Sequence, residues 1–202
     1  MKEDLSKSII NTDNKFKNTI KFSEAVQTFI TTGKYTSASP GTPAFKEYWD
    51  TQIDRCKNGY QVGKVKITGR HYFYLNFCPI KKVLLNSKGK ATKTVSTKQF
   101  PDFYDGDYEF FWLKDIARNG ITPAELRKLN LSSEPIDLDG DKNLILTKAR
   151  RKGYSYKDAS LALYEYTFEP NSLTLILASD KKYLFGGRAR MDMVRIMSDF
   201  IN

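Results

Sequence analysis

Residues 144–155 read Leu144-Ile145-Leu146-Thr147-Lys148-Ala149-Arg150-Arg151-Lys152-Gly153-Tyr154-Ser155, and the fold turns on how they are understood. The apolar run at the front is too short for a helix and is bounded by polar residues, which predicts a buried strand. A basic loop with one glycine near its end follows. Beyond it Ala159, Ala162, Leu163 and Tyr166 recur at helical spacing. Glu169-Pro170-Asn171-Ser172 breaks that helix, and Leu173-Thr174-Leu175-Ile176-Leu177 predicts a second buried strand. Strand, loop, helix and strand in this order make the unit that packs a parallel sheet. The expected class is therefore α/β. A loop between such a strand and helix offers backbone N–H groups at a positive helix end, where a phosphate can sit.

Set against the phosphate-binding pattern G-x-x-x-x-G-K-[ST], Gly153 takes the second glycine and Ser155 the hydroxyl that would ligate Mg²⁺. Lys148 stands at the first glycine and Tyr154 at the lysine. Positive charge for a triphosphate would then come from Arg150, Arg151 or Lys152 within the loop. The plainer reading is a basic turn that starts a helix and meets solvent or nucleic acid.

The string from Leu146 to Lys157 resembles the divergent P-loop of large terminase subunits, the DNA-packaging ATPases of tailed phages. Ile176-Leu177-Ala178-Ser179, at the end of the second predicted strand, is similar to the same family. So are Gly69-Arg70-His71-Tyr72-Phe73-Tyr74-Leu75-Asn76 and Phe100-Pro101-Asp102-Phe103-Tyr104-Asp105. The likeness covers roughly residues 45–202 and departs at the P-loop lysine. It implies a partial P-loop ATPase core over residues 61–202; residues 1–60 before it read from their own patterning as a helical arm and lid-like region. It implies ATP and Mg²⁺ as ligands, Arg150 as a catalytic arginine acting in cis, and Arg151, Lys152, Gly153, Tyr154 and Ser155 around the phosphates. Phe103, Tyr104 and Asp105 would lie beside the adenine; the alternative for them is a helix start with an aspartate at its positive end. The implied partners are double-stranded DNA, a portal and a small terminase subunit. The implied place is the host cytoplasm, transiently at the procapsid portal.

A terminase ATPase also needs an acidic pair that positions Mg²⁺ and water, and no apolar strand ending in two carboxylates follows the loop within these 202 residues. Hydrolysis is therefore expected to be weak, and a second polypeptide completing the fold is one expectation. The alternative function is a nucleic-acid-binding or structural half-domain without ATPase activity.

The formal net charge of +10, from 33 Lys and Arg against 23 Asp and Glu, favours an anionic partner. Cys56 and Cys78 lack metal-ligand spacing and read as reduced thiols. His71 is the lone histidine, so a structural role is expected of it rather than a metal site. Asp137-Leu138-Asp139-Gly140-Asp141 fails as a calcium loop because Lys142 stands where glycine is required. No apolar run approaches the roughly 20 residues that cross a bilayer.

Elsewhere the pattern predicts a loose arm over residues 1–21 and a helix through Phe22, Val26, Phe29 and Ile30 stopping at Gly33. A second helix is capped by Thr42 with Pro43 at its first position. Val62, Val65 and Ile67 suggest strands, and Asn86-Ser87-Lys88-Gly89-Lys90 a hairpin turn. The aromatic run Tyr72-Phe73-Tyr74-Leu75-Asn76-Phe77 fits either a core strand or a packed helix. Later helices are expected through Phe110, Phe111 and Ile116, and through Met191, Val194 and Met197.

Overall fold

A computed structural model describes residues 16, 18–81, 83–85, 91–94, 99–129, 139–145, 153–186 and 189–201. Helix α3 (Gly69–Phe77) is its centre, and all nine of its residues are buried. A segment carrying Tyr72, Phe73, Tyr74, Leu75 and Phe77 is apolar around its whole circumference, so it must be covered on every side. The cover is α1 (Glu24–Thr32), α2 (Pro43–Asn58), α4 (Asp105–Asn119), α6 (Tyr154–Phe168) and α7 (Arg190–Ile201). A short helix, α5 (Pro123–Leu129), follows α4. The aromatic run is thus a helix, which settles the choice its composition left open.

Local chemistry fixes the ends of these elements. The Thr42 hydroxyl accepts from Phe45 N with Pro43 at the first helical position, and Gly59 closes α2. Thr68 caps α3 by accepting from His71 N at 3.2 Å. A Cβ on Gly69 would lie 1.8 Å from the Cys56 carbonyl oxygen, so only glycine lets the start of α3 approach the end of α2. Asn76, fully buried, donates to Phe22 O at 2.8 Å and accepts from Val26 N at 3.2 Å, fastening α1 and the 3-10 turn Thr19–Ser23 to the hub. The helical amino-terminal region therefore packs directly on α3.

On the far side Arg70 donates to Asp115 at 2.7 Å, to Glu165 at 3.0 and 3.2 Å and to Glu169 at 3.1 Å. Arg118 donates to the other Glu165 oxygen at 2.6 Å. These bonds clasp α3, α4 and α6 together. Burial raises the Glu165 carboxyl, but the two arginines outweigh it and hold the group below the ordinary glutamate range.

Strand pairing among the described residues is antiparallel throughout. β1 (Tyr60–Val62) pairs with β2 (Val65–Ile67), and β3 (Val83–Leu85) with β4 (Ala91–Thr94), either side of the expected turn at residues 86–90, which lies outside the described residues. The fold is mixed α/β, but the expected parallel strand–loop–helix–strand core is not formed there. Of that unit the helix alone is present. Leu144 and Ile145 carry no strand pairing, Leu146 lies outside the described residues, and Leu173, Leu175 and Leu177 are 83%, 74% and 80% exposed. An apolar run encodes a tendency to be buried, not a neighbour, and among the described residues neither run meets a strand that takes its N–H and C=O groups. None of the helices, among the described residues, is long and apolar enough to cross a membrane.

Candidate functional site

The expected site is built on the start of α6. Gly153 precedes this helix in the left-handed region at φ 71°, and its carbonyl accepts from Tyr156 N and Lys157 N. Arg150, Arg151 and Lys152 lie outside the described residues. Tyr154 turns inward: its ring meets Phe110 of α4 edge-on at 5.1 Å between centroids, and the Lys157 ammonium lies 3.8 Å from its own centroid. Lys157 is buried and ion-paired with Asp107. Burial pushes the Asp107 carboxyl up, against the opposing pull of that ammonium.

Asp107 and Phe110 belong to the helix that Phe103, Tyr104 and Asp105 lead into. The two halves of the expected site, far apart in sequence, are therefore joined through Lys157–Asp107 and Tyr154–Phe110. Within the second half the residues differ sharply. Phe103 is core, stacked on Phe22 at 5.4 Å and on His71 at 5.2 Å. Tyr104 is 44% exposed, and its hydroxyl donates to Asp102 at 3.5 Å. Asp105 is the first residue of α4, where the helix end favours a negative charge.

His71 is packed between Phe103 and Phe111, the latter at 4.8 Å and 15°. Neither ring nitrogen has a hydrogen-bond partner among the described residues, and burial together with the nearby Lys157 charge pushes its pKa down to about 3. It is a neutral member of the aromatic core.

Ser155 faces the other way, into a cavity of about 500 Å³ shared with Ala178 and Ser179 from the end of the unpaired apolar segment. Lys182 and Arg190 line the same cavity. Sequence reading passed over both; the available signal was the basic pair Lys181-Lys182 directly after an apolar run. A second, smaller cavity of about 300 Å³ lies over the Arg70 cluster, with Lys57, Lys66 and Trp112 on its walls. No group of three or more His, Cys, Asp or Glu residues that could hold a metal ion occurs among the described residues. For Mg²⁺ the described residues thus offer the Ser155 hydroxyl, and no carboxylate occurs among those that line the cavity.

Comparison with family models, curated proteins and solved structures finds no match.

Proposed function

We propose that the chain is the amino-terminal ATPase portion of a large terminase, binding Mg-ATP at the start of α6 for translocation of viral DNA into a capsid. The observation that carries this reading is the union of two terminase-like strings at one place. Residues 153–157 of the first string meet α4, the helix that begins where the second string ends, through the buried Lys157–Asp107 pair, and Ser155 lines a cavity beside Ala178-Ser179. On this proposal Arg150, Arg151 and Lys152 hold the phosphates, Gly153 leads into the helix end, and Tyr104 and Asp105 meet the base. Bound Mg²⁺ would neutralise phosphate charge, with Ser155 as its protein ligand. Turnover is slow on this account, because the cavity lining has no carboxylate to orient the metal or a water. Double-stranded DNA, a portal and a small terminase subunit are the partners that go with this proposal.

Calorimetric titration with Mg-ATP, run beside a phosphate-release assay, tests it. Weak binding with negligible release is expected, and Arg150→Ala with Arg151→Ala abolishes the binding. Undiminished binding by the double variant removes the nucleotide from this loop.

A second reading is favoured by one observation, the exposure of Leu173, Leu175 and Leu177. It makes the chain a half-domain that a second polypeptide completes by covering this segment. A nucleic-acid module without nucleotide chemistry would instead bind duplex DNA with an affinity falling steeply as salt rises, and would ignore ATP.

A further inference from the structure

We infer that Lys182 and Arg190, from outside the basic loop, form a second cationic wall that takes the terminal phosphates of a polyphosphate chain in the cavity beside Ser155. The inference deepens the nucleotide reading and rests on it for the identity of the ligand. The cavity holds about 500 Å³, within the range of small-molecule sites. Among the described residues its lining has two cations, two serine hydroxyls and no carboxylate.

The acidic partners of both cations stand outside the lining. Asp180 contacts Lys182 at 3.1 Å, with the two side chains 47% and 66% exposed. Asp158 lies 3.9 Å from Arg190, the limit for an ion pair, and both are exposed by more than two-fifths. Exposed pairs of this kind are weak, so neither cation is committed to its carboxylate. An arginine and a lysine beside two hydroxyls make a donor set suited to phosphate oxygens, which compete with the exposed Asp180 and Asp158 carboxylates for the two cations.

The wall is also held in place. Residues 181–183 form a 3-10 turn whose Asp180 side chain accepts from Lys182 N. Gly186 N donates to Asp192 at 2.8 Å, and Met191 N to Leu184 O at 3.1 Å, which ties the turn to the first residues of α7. A Cβ on Gly186 would meet the Lys182 carbonyl oxygen at 2.9 Å, so the turn closes this tightly only around glycine. α7 in turn packs along α6, the helix that carries Ser155.

Tripolyphosphate, which carries the phosphates without the nucleoside, is the probe. Its binding to the full chain is measured by calorimetry at low salt, for wild type, Lys182→Ala with Arg190→Ala, and Arg150→Ala with Arg151→Ala. A control, Lys34→Ala with Lys46→Ala, removes equal charge elsewhere, and circular dichroism checks each fold. We expect the Lys182/Arg190 variant to lose about tenfold or more in affinity, the control less than about twofold, and Lys182→Arg to retain binding. Wild-type affinity in the Lys182/Arg190 variant, or no tripolyphosphate binding by the wild type, overturns the inference. Loss with the Lys182/Arg190 changes but not with the Arg150/Arg151 changes upholds this wall and sinks the loop reading; the reverse pattern sinks the wall and leaves the loop. A short DNA duplex that displaces tripolyphosphate at equal concentration also overturns it, because the wall would then serve a nucleic-acid backbone.

Discussion

Lys157, in the first turns of α6, reaches the carboxylate of Asp107 in the first turn of α4, with the two side chains only 2% and 13% exposed. Phe110 and Tyr154 surround the ammonium with aromatic faces, which excludes water from the pair. The joint sets the start of α6 against α4, and any ligand bridging the two helix starts depends on it.

Breaking that joint from one side leaves a buried charge without its partner. Lys157→Met is expected to destabilise the chain by about 3–5 kcal/mol, whereas Lys157→Met with Asp107→Leu recovers most of the loss. Urea unfolding measures both. A single variant costing less than about 1 kcal/mol contradicts the burial of the pair.

His71 gives the chain an acid sensitivity of defined sign. Its folded pKa, about 3, lies below the ordinary value of 6.5, so the unfolded state takes up the proton first. The contribution is fully present above pH 6.5 and is lost as pH falls from there toward 3, at up to about 1.4 kcal/mol per pH unit. Asp107, whose carboxyl is raised, works in the opposite direction around pH 4, so the diagnostic is a difference between proteins. His71→Phe is expected to flatten the stability profile between pH 6.5 and 4.5. An unchanged slope in that variant places the titrating group elsewhere.

Arg70 carries a comparable load on the other side of α3. Arg70→Met strands Asp115 and leaves Glu165 and Glu169 to Arg118 alone, and is expected to cost about 3–5 kcal/mol. Arg70→Lys restores only part, because an ammonium cannot fork to three carboxylates at once. Thermal unfolding of the two variants reads this order directly, and equal stability would contradict it.

Helix limits were legible wherever a local signal fixes them. Thr42-Pro43 and Gly33 mark observed helix ends, and Ala159, Ala162 and Leu163 are buried in α6, whereas Tyr166, expected on the same stripe, is 84% exposed. The aromatic run of α3 was ambiguous, since a helix buried on every side loses the periodicity that distinguishes it from a strand. The two apolar runs at residues 144–146 and 173–177 promised a parallel sheet, but pairing depends on what lies alongside, and nothing local encodes it. Long-range ties such as Arg70–Glu165 left no mark either. Of the proposed site, Ser155 was read from its place after Gly153, while Lys182 and Arg190 join the same cavity only because α7 folds back along α6.

The exposed alternation Leu173, Leu175, Leu177 is a template for association. We expect the isolated chain to self-associate at high concentration, and Leu175→Lys to suppress this without lowering the melting temperature, since the side chain is 74% exposed. Light scattering beside thermal unfolding tests the pair of expectations. A marked fall in melting temperature would mean that Leu175 packs within the chain.

The central claim, that Mg-ATP binds at the start of α6 with Ser155 on the metal, is tested most directly by one calorimetric comparison. ATP is titrated into the wild type and Ser155→Ala, each with and without Mg²⁺. The account predicts that Mg²⁺ tightens ATP binding to the wild type, and that Ser155→Ala removes this gain while leaving metal-free binding nearly unchanged. Equal Mg²⁺ dependence in the two proteins, or no ATP binding by the wild type, would contradict it.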